Sequence, residues 1–168
     1  DMRLRALLER YLVEQGFDLA IRIGHLDDST MMAKKLTSRR NYLCASPQYL
    51  TQFGHPTDTT ELLQHQCLLG SSDTWRFNID GKIRVIKPDA KLKYNSGAAL
   101  TDAAMKGLGL ALLPDYYVDD LIEQGDLVSV LDSNQITDES VWALYPHNRQ
   151  LSPKVNLLIK HLVKKINN

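Results

Sequence analysis

Cysteine is scarce in this chain. Its 168 residues include two, Cys44 and Cys67. They form no C-x-x-C pair and have no histidine at ligand spacing, which excludes the familiar zinc patterns, so no metal is expected. Both sit in apolar runs, where a free thiol behaves as a small buried hydrophobe. That usage suits a reducing cytoplasm, with a disulfide in an oxidising compartment left open as the alternative. An excess of charge of one sign is also lacking. Lys and Arg number 20, Asp and Glu 20, for a formal net charge of zero. A nucleic-acid surface needs clustered cations, so this segment does not carry one. The run Lys34-Lys35 with Arg39-Arg40, interrupted by Leu36, reads as a solvated strand edge. No apolar stretch approaches the ~18 residues of a membrane helix. No secretory signal is legible at the start, where Asp1-Met2-Arg3 opens into a helical pattern.

Catalytic signatures are missing as well. Gly107-x-Gly109 precedes a strand instead of opening a helix, so it is no dinucleotide fingerprint and no cofactor is expected. The five histidines, at 25, 55, 65, 147 and 161, are scattered. Asp27-Asp28 and Asp119-Asp120 are adjacent pairs whose side chains point apart on their elements, which does not suit shared acid–base work. An enzyme needs a nucleophile and base, or facing carboxylates, brought together, and no such set is visible.

What is present is an alternation of helix and strand patterns. Leu4, Leu7, Leu8, Tyr11 and Leu12 follow helical spacing up to the stop at Gly16, and residues 17–24 read as a strand. Helix, glycine and strand in that order suggest the return half of a parallel crossover. Residues 41–45 form a second strand, followed by Ser46-Pro47 as N-cap and first helical residue. Asp58 with Glu61 resembles a capping box. Residues 75–79 and 82–86 flank Asp80-Gly81, a strong hairpin signal. Helix 97–106 leads to a strand at 108–113 whose continuous apolar character suits the middle of a parallel sheet. Pro114 is expected to open the next helix, and residues 127–131 and 141–145 to be strands. Ser152-Pro153 repeats the capping pair before an amphipathic terminal helix, 153–166. The alternation argues for α/β architecture.

The most informative stretch runs from Tyr94 to Pro114. A polar turn places Asn95 and Ser96 at the start of a helix beginning at Gly97, where unpaired N–H groups and the helix dipole can hold an anion or a carbonyl oxygen. Ser46 offers a second helix N-terminus, and Arg22, near the end of its strand, could pair with an anion. Gly24 reads as a backbone turn, and Trp75 and Trp142 as core aromatics. The alternative for Ser46 and Ser96 is plain helix capping, and for Arg22 an exposed side chain on an alternating strand.

Five segments in register carry a family resemblance: Phe17 to Gly24, Leu43 to Leu50, Asn95 to Pro114, Trp142 to Pro146 and Leu151 to Val155. Together they resemble the effector-binding domain of LysR-type transcriptional regulators, from about residue 14 to the end of the chain. The resemblance implies a type 2 periplasmic-binding-protein-like fold, with two α/β lobes flanking an effector cleft and joined by two crossover strands. On that template residues 1–44 with 141–168 make the first lobe, and 45–140 the second. It implies a first lobe lacking its opening strand and helix, and a DNA-binding winged helix-turn-helix that belongs to a missing N-terminal part. The implied function is sensing of a small, anionic organic effector by a cytoplasmic homodimer, with Asn95, Ser96, Gly97, Ser46, Arg22 and Gly24 at the site. The two helix N-termini at Ser46 and Ser96 are expected to converge there. The terminal helix is expected beside strand 18–24. A transport-type solute-binding protein of the same fold is the alternative, and it would need a secretory signal.

Overall fold

A computed structural model describes residues 16–24, 26, 31–90, 92–146 and 152–166. The helical run from Leu4 to Leu12, His25, Asp27-Asp28 and His147 lie outside the described residues. The chain divides into two compact units, one of residues 1–39 with 138–168 and one of residues 40–137. Residues 40–44, expected with the first unit, fall in the second because their strand pairs there, and residues 138–140 fall in the first.

The first unit holds β1 (Ala20–Ile23), β2 (Met31–Arg39), β10 (Glu139–Pro146) and the terminal helix α4 (Pro153–Ile166). Its sheet order is β1-β10-β2, antiparallel throughout. The parallel crossover expected around β1 is therefore replaced by an antiparallel pairing with a strand from the far end of the chain. The sequence showed strand β2 only as a charged strand edge around residues 34–40 and not its start at Met31, and the register explains why. Thr37 pairs with Val141 but Lys35 with Trp142, so Leu36 is a bulge. The bulge breaks the two-residue alternation, and residues 32–35 are all exposed. Leu36 nevertheless packs with Ala143, Val155 and Ile159, while Met31 joins Leu144 in a separate cluster. Helix α4 buries Val155 and Ile159 in the same cluster, against which Leu19 also packs, and Ser152 Oγ caps it by accepting from Val155 N at 3.3 Å.

The second unit is built on a five-stranded sheet in the order β7-β4-β8-β3-β9. These strands are β3 (Asn41–Ala45), β4 (Cys67–Leu69), β7 (Leu92–Lys93), β8 (Leu110–Pro114) and β9 (Val128–Ser129). β4 runs parallel to β7 and β8, whereas β3 is antiparallel to β8 and to β9. The central apolar strand β8 thus has one parallel and one antiparallel neighbour. The sheet is covered on both faces, which accounts for the unbroken apolar character of β4 and β8. On one face Leu43, Ala45, Leu69 and Leu110 meet Tyr49 and Leu50 of α1 (Pro47–Phe53) and Trp75 and Phe77 of a hairpin. On the other, Cys44, Leu68, Ala111 and Leu113 meet Leu100, Ala103 and Ala104 of α2 (Gly97–Met105) and Val118 of α3 (Asp115–Gln124).

The hairpin of β5 (Trp75–Ile79) and β6 (Lys82–Ile86) turns at Asp80 and Gly81, with φ of 52° and 74°, the double positive-φ geometry that favours this dipeptide. Pro114 ends β8 and stands at the N-cap of α3 instead of inside it. The strand expected over 127–131 shortens to two residues because Leu131 turns the chain with φ 54°. The box expected at Asp58 becomes a local lock. Asp58 Oδ1 accepts from Thr60 N, and Glu61 Oε2 accepts from Thr57 N, each at 2.6 Å, ahead of a 3-10 turn.

Tyr49 ties α1 to the segment entering β4. Its buried hydroxyl accepts from Gln66 N at 2.9 Å and lies 3.1 Å from His65 Nδ1. A neutral His65 with an unprotonated Nδ1 can accept the hydroxyl proton. Burial holds His65 below the usual histidine range, only partly opposed by Glu61. The stability given by neutral His65 is complete above about pH 6.5 and is lost as pH falls toward its lower folded-state value. Urea unfolding should therefore show a steeper loss of stability between pH 7.5 and 5.5 in the wild type than in His65→Asn. Burial also pushes the Cys44 and Cys67 thiols up to about 12. Both should resist a colorimetric thiol reagent in the native protein at pH 7.5 and react once it is unfolded in urea.

Candidate functional site

Strand direction decides which loops share an edge in the second unit. β4, β7 and β8 all end at the edge where β3 begins. That edge gathers the segments 94–97, 114–117 and 40–42. It is also the edge at which open α/β sheets present ligand-binding loops. Ser46 follows the last residue of β3 and so lies at the opposite edge. A Cβ built on Gly107, just ahead of β8, would sit 3.3 Å from Ser46 Oγ, which confirms the placement. The expected convergence of the Ser46 and Ser96 helix N-termini does not occur, because β3 runs against its neighbours. Ser46 is 3% exposed, and its hydroxyl is occupied in capping α1 through Tyr49 N at 3.2 Å.

Asn95, Ser96 and Gly97 stand together at the gathered edge. Tyr94 N donates to Leu69 O at 2.8 Å and fixes where the turn leaves β7. Ser96 has extended φ and ψ of −121° and 125°, and its Oγ accepts from Ala99 N at 3.4 Å. Its carbonyl accepts from Leu100 N at 3.0 Å. The amides of Gly97 and Ala98 are left without a protein acceptor among the described residues, as expected for the first positions of a helix. Asn95 is exposed and has no hydrogen bond to a described residue.

Sequence reading missed the aromatic side of this edge. A Cβ on Gly97 would lie 2.4–2.7 Å from the Cε2, Cζ and hydroxyl oxygen of Tyr117, so the ring rests directly on the start of α2. The ring centroids of Tyr116 and Tyr117 are 4.7 Å apart, and the two side chains are 65% and 37% exposed. Nothing in the sequence marked Tyr117 as a neighbour of Gly97; the contact comes from the packing of α3 against α2.

Arg40 and Tyr42 hold the β3 side of the edge. Arg40 N donates to Asp115 Oδ2 at 2.8 Å, and Asp115 N donates to Arg40 O at 2.9 Å. The Arg40 guanidinium carbon is 4.6 Å from the Tyr42 ring centroid, a cation–π distance. Burial raises the Tyr42 hydroxyl above its ordinary range, and the nearby Asp119 carboxylate adds to the rise against the opposing pull of Arg40.

The other two sequence candidates belong to the first unit. Arg22 is half-buried on β1 opposite Trp142, and no described group pairs with its guanidinium. Gly24 is buried with φ 108°, a conformation that disfavours any side chain. Its N–H donates to Ser140 O at 2.9 Å, and its carbonyl accepts from Trp142 Nε1 at 2.9 Å. Trp142 is thus half-buried and hydrogen-bonded, and Trp75 is a core residue. Among the described residues no cluster of three His, Cys, Asp or Glu could hold a metal ion, and no helix is long and apolar enough to cross a membrane.

Comparison with known proteins supplies the context. Residues 6–167 match the LysR substrate binding domain family. The HTH-type transcriptional regulator CrgA of Neisseria meningitidis serogroup B is 32% identical over 163 residues, covering 94% of this chain and 54% of that protein. The HTH-type transcriptional activator TtdR of Escherichia coli K12 is 29% identical over 156 residues, 90% of this chain and 50% of TtdR. The full-length structure of AphB, a Vibrio cholerae virulence activator, superposes with TM-score 0.74 at 30% identity, over 90% of this chain and 52% of AphB. The CrgA structure gives 0.75 at 30% identity, over 95% and 55%. The chain spans about half the length of the curated relatives it matches.

The Gly97–Tyr117 contact makes a direct prediction. Gly97→Ala should cost about 1–3 kcal/mol by overpacking against the ring. In a Tyr117→Ala background the same change should be neutral or slightly stabilising, because alanine is the better helix residue. A double-mutant cycle measured by urea unfolding reads this coupling directly.

Proposed function

Because the chain belongs to the LysR substrate-binding domain family, we propose that it is the effector-sensing part of a longer DNA-binding regulator. The mixed α/β fold is that of the regulatory domains of such proteins, and the relatives are transcriptional regulators and not transport proteins or enzymes. DNA contact belongs to the rest of the longer protein, in keeping with the zero net charge of this segment. The regulator works in the cytoplasm as a homodimer or higher homo-oligomer. The effector is a small organic anion.

The observation that carries the reading is the edge of the second unit at residues 94–97. There an exposed Asn95, a capping Ser96 and two unpaired amides meet at the positive end of α2, beside Tyr117. A helix N-terminus of this kind favours negative charge by about 0.3–1 kcal/mol when exposed and up to ~2 when partly buried. In the first unit Arg22 is the cation assigned to anion binding, and the Gly24 turn follows the end of its strand. Ser46 is assigned to capping and has no part in binding. Regulation follows from differential affinity: an effector that prefers one arrangement of the regulator shifts the population toward it, by no more than that preference.

Calorimetric titration of the chain with a panel of small organic acids tests this reading. Asn95→Ala should leave the unfolding midpoint within error and weaken binding about tenfold, which is 1.4 kcal/mol. Arg22→Ala should weaken it by a similar factor. Unchanged affinity in both variants would place the site elsewhere.

A further inference from the structure

Two adjacent arginines end up in opposite circumstances. Arg39 Nη2 is 2.8 Å from Glu139 Oε2, and its Nε donates to the same oxygen at 2.8 Å. Arg40 has no such partner. Its Nε is buried and makes no hydrogen bond, and no described carboxylate pairs with its guanidinium. A buried donor without an acceptor is costly and calls for an explanation.

The surroundings hold the guanidinium in place without satisfying it. Asp115 pins the Arg40 backbone from both sides, through Arg40 N and Arg40 O. The Tyr42 ring supports the guanidinium from below at 4.6 Å. The nearby carboxylates do not pair with it. Asp115 Oδ2 accepts from Arg40 N, Asp115 Oδ1 accepts from Tyr116 N at 2.9 Å, and Asp119 forms no ion pair with Arg40. What remains is a planar cation with unused donors at the same sheet edge as the Asn95–Gly97 turn.

We propose that the Arg40 guanidinium is a carboxylate-binding group of this edge, held ready by Tyr42 and taking one singly charged carboxylate side-on across Nε and the neighbouring Nη. This deepens the effector reading above and rests on it. A planar fork suits a planar carboxylate, and stacking on the ring face does not use up the in-plane N–H donors. Asp115 and Asp119 repel any anion brought close, and they penalise a dianion more than a monoanion, so sulfate and hydrogen phosphate are disfavoured. Because Nε is covered in the free protein, the guanidinium must slide on the Tyr42 ring as the carboxylate enters. A cation–π contact tolerates such a slide, since its attraction acts over the whole ring face.

The arginine Nε–H resonances of the nitrogen-15-labelled chain read this directly. At constant ionic strength, acetate and benzoate should shift the Arg40 Nε–H signal saturably, whereas sulfate and chloride should not. The signal is assigned by its loss in Arg40→Lys, or by its contacts to the Tyr42 ring should that variant fail to fold. Arg40→Lys should bind the better carboxylate at least tenfold more weakly. An Arg40 signal that stays still while carboxylates bind and Asn95→Ala weakens them would overturn this assignment and leave the effector reading standing. Equal shifts with sulfate would overturn the carboxylate preference. Absence of binding by any organic acid would remove both.

Discussion

The antiparallel placement of β3 governs the functional geometry of the second unit. The chain enters that unit through β3, which pairs with β8 by running against it, while β4, β7 and β8 run together. Helices that follow β7 and β8 therefore start at one edge, and the helix that follows β3 starts at the other. The two serine N-caps look alike in sequence: each opens a helix and each accepts from the amide three residues on. Strand direction alone makes one a buried structural cap and leaves the other at the edge with exposed Asn95.

The same antiparallel entry gives the candidate edge a cation. Since β3 begins where β8 ends, Arg40 meets Asp115, and two backbone–carboxylate and backbone–backbone hydrogen bonds close the corner. Tyr42, two residues on, supports the guanidinium and feels the charge of Asp119, one helical turn beyond Asp115. The site is thus assembled from residues whose roles come from neighbours contributed by a distant strand.

Local chemistry was legible wherever a short run of residues was sufficient to specify the geometry. The three Ser caps, the Asp80-Gly81 turn, the amphipathic terminal helix and the apolar strand read at 108–113 all follow from near-neighbour sterics, capping or periodicity. The Asn95–Gly97 turn belongs with them, because its polar residues stand directly ahead of a helix start. Strand β2 was legible only as a charged edge around residues 34–40, since the bulge at Leu36 removes the alternation that marks a strand's full extent. β1 was read as the return of a parallel crossover because its true partner, β10, lies more than a hundred positions away in the chain.

Taken alone, the order of helices and strands, their caps and turns, and the family pattern were determined by the sequence, because each rests on interactions between residues a few positions apart. Tertiary structure decided which strand neighbours which and in what direction. From that came the separation of Ser46 from Ser96, the closure of Tyr117 over Gly97, and the unpaired Arg40 beside the paired Arg39. These depend on long-range pairing and on the packing of side chains across elements, which no local pattern encodes.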